Sequence, residues 1–178
     1  MAKKRMALVT GGAKRVGRAI GERLAEAGFT VAFTYNSSEA EAKRLEKSLG
    51  GFAIQADFTD PITACENVFK SFTKRFGNLH VLVNNASIYQ PGDNAELLRR
   101  MMAIHAETPL LLCKKFEPLL RRSRGHVINM VDLMAERPWP EYLSYCASKA
   151  ALSNLTLSLA RQMAPQVTVN GIAPGVVE

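Results

Sequence analysis

The chain has 178 residues, and 47% of them are hydrophobic, which predicts one folded domain and excludes a disordered chain. Its apolar runs are shorter than the roughly 20 residues of a membrane-spanning helix, and three scattered cysteines lack disulfide or metal-ligand spacing, so we expect a cytoplasmic protein without a metal. The formal net charge is +7, but the basic clusters are short and lack interleaved aromatics, so nucleic acid is only a minor alternative partner.

Strand and helix patterns alternate along the chain. Strands are predicted at residues 6–10, 30–35, 52–56, 79–83, 126–131 and 167–172, and helices at about 16–27, 38–49, from 60 onward, 95–120 and 142–164. This alternation predicts an α/β, Rossmann-like doubly wound parallel sheet with strand order 3-2-1-4-5-6. We expect residues 1–178 to form a single domain. Because little sequence follows the sixth strand to cover its edge, we also expect the C-terminal part of that domain to be missing.

A glycine-rich turn, Thr10-Gly11-Gly12-Ala13-Lys14-Arg15-Val16-Gly17, separates the first strand from the first helix. Such a turn lets the backbone approach a pyrophosphate, and the amides at the helix start face its negative charge. An ordinary tight turn is the alternative, but the position between strand and helix favours dinucleotide binding. The predicted cofactor contacts here are Gly11, Lys14, Arg15 and Val16.

The residues after the second strand determine the choice of cofactor. An acidic side chain there would bind the adenosine ribose and indicate NAD, but this chain has Asn36, Ser37 and Ser38. These neutral residues tolerate a phosphate, and Lys14 and Arg15 can supply positive charge. NADPH is therefore the expected cofactor, and the two serines can also act as helix caps.

Further polar residues follow the third and fourth strands. Asp57 and Phe58 lie where the adenine is expected, at the carboxyl edge of the sheet. Asn85, Ala86 and Ser87 can line the cofactor. For the preceding Asn84, a structural role and a ligand contact are equally favoured.

Tyr145 and Lys149 lie four residues apart on a predicted helix and therefore share one face. A nearby ammonium favours the phenolate and is expected to lower the pKa of Tyr145. Tyr145 would then be a proton donor to a substrate that receives hydride. By itself the spacing is common in surface or core pairs, but its position after the fifth strand favours catalysis.

Together these motifs resemble the short-chain dehydrogenase/reductase family over nearly the whole chain. The resemblance rests on the Gly11–Gly17 turn, Asp57, the Asn84-Asn85-Ala86 segment, the Tyr145/Lys149 pair and the stretch from Val169-Asn170 to Pro174-Gly175. It implies a nicotinamide cofactor contacted by Pro174 and Gly175, Tyr145 as catalytic acid, and Lys149 as the residue that binds the nicotinamide ribose. It also implies a homo-oligomer, most often a tetramer.

Three departures from the common pattern of that family identify a branch. Arg15 replaces a glycine of the turn, Asp132 stands thirteen residues before Tyr145 in place of the catalytic serine, and His105 falls near the usual helix asparagine. The chain therefore resembles the pteridine reductase branch, which includes bacterial dihydromonapterin reductases.

The branch chemistry is reduction of a C=N bond, in which hydride goes to carbon and a proton goes to nitrogen. Asp132 and Tyr145 are the expected proton-transferring pair, with Lys149 as the third catalytic residue. The predicted substrate contacts, to a pterin-like small molecule, are Arg15, Ser87, Tyr89, Asp132 and Tyr145. Tyr89 can stack on the pterin, although packing alone is equally favoured.

Several alternatives stay open at this point. Asp132 can be a loop cap, and a satisfied core histidine is the favoured interpretation of His105. A carbonyl or 3-oxoacyl reductase of the same family is the second functional hypothesis, and the serine missing at position 132 ranks it lower. A non-catalytic NADP-binding regulatory protein is the third.

Overall fold

The computed structural model describes residues 5–175, so the predicted domain limits at 1 and 178 lie outside the described residues. Within them, six parallel strands form one sheet in the order β3-β2-β1-β4-β5-β6, which confirms the predicted topology. The strands are β1 (Arg5–Val9), β2 (Phe29–Tyr35), β3 (Phe52–Gln55), β4 (Val81–Asn84), β5 (His126–Met130) and β6 (Thr168–Ile172).

Helices cover both faces of this sheet. They are α1 (Arg15–Glu26), α2 (Glu39–Leu49), α3 (Pro61–Thr73), α4 (Ala95–Met102), α5 (Thr108–Ser123) and α6 (Leu143–Met163), with short 3₁₀ segments at Leu133–Ala135 and Pro140–Tyr142. Asp60 caps α3, because its side chain accepts a hydrogen bond from the Thr63 amide, and Pro61 occupies the first turn. Among residues 5–175, no helix has the length and apolar character needed to span a membrane.

The alternation of side chains along β1 divides the core into two layers. Met6 and Leu8 point to the layer formed with α3, α5 and α6, whereas Ala7 and Val9 point to the layer formed with α1 and α2. All four side chains are at most 2% exposed. Both faces of the central strand are therefore buried, as a doubly wound sheet requires.

The helix predicted over residues 95–120 is interrupted. α4 ends at Met102, a π-helical turn spans Ala103–Glu107, and α5 begins at Thr108. Pro109 explains the interruption: it has no amide hydrogen, and its ring would clash with the carbonyl four residues earlier, at His105. The wider turn places His105 inside the protein, where 1% of its surface is exposed.

Candidate active site

A cavity of about 830 Å³ opens at the carboxyl ends of β1, β4, β5 and β6. It brings together most of the predicted site residues: Gly11, Lys14, Arg15, Val16, Asn85, Ala86, Ser87, Tyr89, Asp132, Tyr145, Lys149, Pro174 and Gly175. Its lining also contains residues that the sequence analysis did not select: Met130, Val131, Leu133, Met134 and Arg137. The first four lie within two residues of Asp132, so they could have been predicted from their position beside it. Arg137 has no such signal in the sequence.

The glycine-rich turn is tight enough to require its glycines. Gly11 has a φ of 63°, and a β-carbon on it would lie 2.9 Å from the Ala86 Cα atom. A β-carbon on Gly17 would lie 2.2 Å from the Gly11 carbonyl oxygen. Arg15, the first residue of α1, also adopts a left-handed φ, of 49°, which is uncommon for a residue with a side chain. The turn thus brings backbone close to the cavity at the start of a helix.

Asn85, which follows β4, stabilises this turn by hydrogen bonds to its backbone. Its side-chain amide donates to the carbonyl oxygens of Thr10 (2.9 Å) and Gly11 (3.2 Å), and the Thr10 hydroxyl accepts from the amides of Asn85 and Ala86. The Asn85 side chain therefore supports the turn that borders the cavity. The neighbouring Asn84 has a structural role, because it is buried and donates to Asn129 Oδ1 at 2.8 Å.

The predicted residues at the adenosine end lie outside the lining of the cavity: Asn36, Ser37, Ser38, Asp57 and Phe58. Ser38, one of the two serines predicted to cap this helix, is the N-cap residue of α2, although its hydroxyl makes no capping hydrogen bond within the described residues. Lys14 forms an exposed ion pair with Glu41, with Nζ and Oε1 3.1 Å apart. The first turn of α2 therefore brings a carboxylate close to the cation that we predicted for a phosphate.

Asp57 and Phe58 follow β3 but face different surroundings. Asp57 Oδ1 accepts from the backbone amide and the hydroxyl of Thr59, at 3.0 and 2.9 Å, and these hydrogen bonds lower the pKa of its carboxyl. The Phe58 side chain is 5% exposed and packs in the larger core layer. The Phe58 ring is therefore part of the core, and the contact of Phe58 with a cofactor stays a prediction.

Three predicted catalytic side chains converge at the other end of the cavity. The Tyr145 hydroxyl donates to Asp132 Oδ2 at 2.7 Å, while Asp132 Oδ1 accepts from the Met134 amide at 2.8 Å. Lys149 Nζ donates to the Met130 carbonyl oxygen at 2.7 Å and lies 5.6 Å from the centre of the Tyr145 ring. Asp132 is thus a loop cap and a partner of Tyr145 at once, so the two interpretations are compatible.

Burial sets the protonation of this group. Loss of solvent raises the pKa of Tyr145 well above its ordinary value, and the hydrogen bond to Asp132 raises that pKa further. The expectation that Lys149 lowers the pKa of Tyr145 is wrong in direction, since burial and Asp132 outweigh a cation that is bonded elsewhere. Burial also lowers the pKa of Lys149 to about 8, although Asp132 acts in the opposite direction. Tyr145 therefore carries its proton at neutral pH, as an acid must.

Aromatic rings form the wall next to these groups. Tyr89 stacks on Tyr142 with ring centres 4.5 Å apart and meets the Tyr145 ring edge-on at 4.9 Å. Trp139 contacts Tyr142 and lines the cavity. Tyr89 packs against these rings but is still 55% exposed, so the same side chain is also available to a ligand. Tyr142 was not selected from the sequence, because nothing in its spacing marks it.

Comparison with known proteins agrees with this geometry. A family profile described as short chain dehydrogenase matches residues 5–178. A dihydromonapterin reductase from Enterobacter sp. (strain 638) is 36% identical over 185 aligned positions, which cover 99% of this chain and 75% of that protein.

Two solved structures are also similar. The crystal structure of FolM alternative dihydrofolate reductase 1 from Brucella canis, complexed with NADP, has 37% sequence identity and a TM-score of 0.87, covering 96% of this chain and 73% of that one. The acetoin dehydrogenase from Enterobacter cloacae has a higher TM-score of 0.92 but 26% identity, with 100% and 75% coverage. The overall shape is thus shared widely, whereas sequence identity is higher with the two pterin and folate reductases.

Proposed function

The chain belongs to the short chain dehydrogenase family, and we propose that it is an NADPH-dependent reductase of pterins or dihydropterins. The observation that carries this proposal is the 2.7 Å hydrogen bond between Tyr145 and Asp132 inside the cavity. A serine at position 132 would offer one hydroxyl to a carbonyl oxygen. A carboxyl can instead accept from an amino group and, with Tyr145, serve a ring nitrogen.

The chain's residues fit a bound nicotinamide cofactor. The turn that needs its glycines and the start of α1 would hold the pyrophosphate. Lys14 would face the 2′-phosphate, and Lys149 would bind the nicotinamide ribose. Asn36, Ser37 and Ser38 favour the 2′-phosphate of NADPH over the free ribose of NADH. When bound, the nicotinamide supplies the hydride. The crystal structure of the Brucella canis protein contains NADP, which supports the same cofactor here.

The proton transfer belongs to Tyr145. Its Oη atom keeps a proton at neutral pH because burial and Asp132 both raise the pKa of the phenol. When an amino-pyrimidine edge donates an N–H to Asp132 Oδ2, it replaces the phenol as donor to that oxygen. The Tyr145 O–H can then turn to the ring nitrogen that takes the proton, and the stacked Tyr89–Tyr142 pair offers a flat surface to the ring system.

The activity test is a side-by-side assay of NADPH consumption with dihydromonapterin, dihydrofolate and a β-ketoacyl thioester. We expect the highest kcat/KM with a pterin. Turnover of the thioester alone would establish the second hypothesis, a carbonyl or 3-oxoacyl reductase, which the Tyr145/Lys149 pair also suits. Tight NADPH binding without turnover of any of the three would favour a regulatory NADP-binding protein.

We further infer a single catalytic domain that acts as a cytoplasmic homotetramer. All three cysteines are free and buried, which suits a reducing compartment. Leu157 on α6 is 64% exposed, and a solvent-facing leucine on a helix suits an interface between subunits. Sedimentation of the purified protein tests the assembly, for which a monomer would be the contrary result.

A further inference from the structure

His105 is the buried histidine of the π-helical turn, and both of its ring nitrogens are hydrogen-bonded. Nε2 lies 3.2 Å from the Ile88 amide nitrogen and 3.0 Å from the Ser87 hydroxyl oxygen. Nδ1 lies 2.7 Å from the Ser148 hydroxyl oxygen. The imidazole therefore joins the segment after β4, which borders the cavity, to the helix that carries Tyr145.

These contacts determine the tautomer of His105. A backbone amide can only donate, so Nε2 must be the unprotonated nitrogen, and the ring proton lies on Nδ1. Nδ1–H then donates to Ser148 Oγ, and the Ser148 hydroxyl donates to the Tyr145 carbonyl oxygen at 2.7 Å. On the other side, the Ser87 contact is a hydrogen bond only when the Ser87 hydroxyl donates to Nε2.

The imidazole is held neutral by its surroundings. Burial lowers the pKa of His105 to about 3, and the nearby Lys149 ammonium acts in the same direction. The edge of the ring contacts Tyr145, with centres 5.5 Å apart and planes at 85°. A neutral ring with one donor and one acceptor matches both serines without leaving a buried polar atom unpaired.

Nε2 accepts two hydrogen bonds, so the Ser87 hydroxyl can rotate away without leaving this nitrogen unpaired. If the Ser87 hydroxyl turns toward the Tyr145 phenol oxygen, the Ile88 amide still satisfies Nε2. A hydrogen bond from Ser87 lowers the pKa of Tyr145, opposite to the effect of Asp132. Ser87 can thus support the phenolate that remains after Tyr145 gives up its proton.

We propose that His105 is a positioning residue that holds Ser87 and the Tyr145 peptide at a fixed separation and so aligns Ser87 with the Tyr145 hydroxyl. It acts through these two residues and does not touch the reacting atoms. The inference rests on the proposed reductase function only for its kinetic consequence. The tautomer and the two-sided hydrogen bonding follow from the contacts of the ring alone.

Variants of His105 separate its two sides. A glutamine amide reaches roughly as far as Nε2 and an asparagine amide roughly as far as Nδ1, so His105→Gln keeps the Ser87 side and His105→Asn keeps the Ser148 side. We expect kcat to fall about tenfold in His105→Asn and His105→Phe, but less than about threefold in His105→Gln, with NADPH Kd unchanged in all three. The control is His126→Gln, since His126 is exposed on β5 and bonds Thr168, away from the cavity.

A double-mutant cycle distinguishes positioning from packing. If His105 acts through Ser87, the effects of Ser87→Ala and His105→Asn on kcat will not add, because the second change removes a contact that the first has already removed. Additive effects, or equal kcat in the glutamine and asparagine variants, would overturn the proposal. These rates are measured with whichever of the three assayed substrates is turned over fastest, so the outcome does not depend on a pterin.

Nitrogen-15 NMR of histidine-labelled wild-type protein gives a test that needs no substrate. The expected spectrum has the His105 proton on Nδ1 and an unprotonated Nε2 at neutral pH. A proton on Nε2, or a charged ring, would contradict the inferred arrangement even if the variants lose activity. A protein that reduces no substrate but shows the expected tautomer would refute the proposed function and the kinetic role of His105, leaving the hydrogen-bond network intact.

Discussion

The two ends of the candidate site are built differently. At the catalytic end, Tyr145 and Lys149 are 5% and 3% exposed, and each donates a short hydrogen bond to a fixed oxygen. At the adenosine end, Lys14 and Glu41 pair in solvent, with 51% and 38% of their side chains exposed. Buried groups are fixed before a ligand arrives, whereas exposed ion pairs exchange partners at small cost. Changes at the first end should therefore affect kcat, and changes at the second should affect cofactor affinity.

Tyr145→Phe should have the largest effect. Removing the hydroxyl removes the proton donor, so kcat should fall at least about 1,000-fold, whereas the NADPH Kd should stay within about twofold. Stopped-flow turnover and fluorescence titration measure the two quantities. A kcat within tenfold of wild type would show that another group supplies the proton.

Asp132→Asn should come next. The amide keeps the shape and the acceptor for the Met134 amide but removes the negative charge beside Tyr145. We expect kcat with a dihydropterin to fall about 100-fold. Glu136→Gln, an exposed change a few residues further along the same segment, is the matched control and should leave kcat unaltered.

The pKa of Lys149, lowered to about 8 by burial, predicts an alkaline limb in the pH profile. The ammonium form is present below that pH and is lost as the pH rises through it, so kcat/KM should fall about tenfold one pH unit above it. In Lys149→Arg the charge persists, because the guanidinium stays protonated, and the limb should move to higher pH. An identical limb in both proteins would assign it to another group.

Much of this architecture is predictable from local sequence. The strand order follows from the regular alternation of strands and helices, and the turn follows from glycines that have no room for a β-carbon. The Tyr145/Lys149 pair follows from helical spacing together with its position after the fifth strand. The turn and the pair are each marked by a few adjacent residues, whereas the strand order needs the pattern of the whole chain.

The remainder depends on long-range burial that no local pattern encodes. The pKa of Tyr145 rises where spacing to Lys149 predicts a fall, because desolvation and Asp132 dominate. The contact between Tyr89 and Tyr142 joins residues far apart in sequence. The π-helical turn that contains His105 has a local cause, Pro109. The hydrogen-bond partners of the His105 ring, Ser87 and Ser148, come from separate segments of the chain.

At the adenosine end, Lys14→Gln should weaken NADPH binding about tenfold and leave NADH binding unchanged, because only NADPH carries the 2′-phosphate. Lys70→Gln removes another exposed cation, which pairs with Glu66 on α3, and serves as the control. An equal loss of affinity for NADPH and NADH would instead mean that Lys14 contacts the pyrophosphate, which both cofactors carry.

Glu41→Gln should have the smallest effect. Releasing Lys14 from its carboxylate partner removes a competitor of the phosphate, so NADPH should bind about two- to threefold more tightly at low salt. Added salt should abolish the gain, since exposed charges are screened. Weaker binding in this variant would mean that Glu41 positions Lys14 for the phosphate.

The most direct test of the pterin assignment is Asp132→Ser, which restores the residue of the common family pattern. The ratio of kcat/KM for a dihydropterin to that for a β-ketoacyl thioester should be high in the wild type and fall at least about 100-fold in the variant. An unchanged ratio would contradict the claim that the carboxyl beside the Tyr145 phenol selects the substrate.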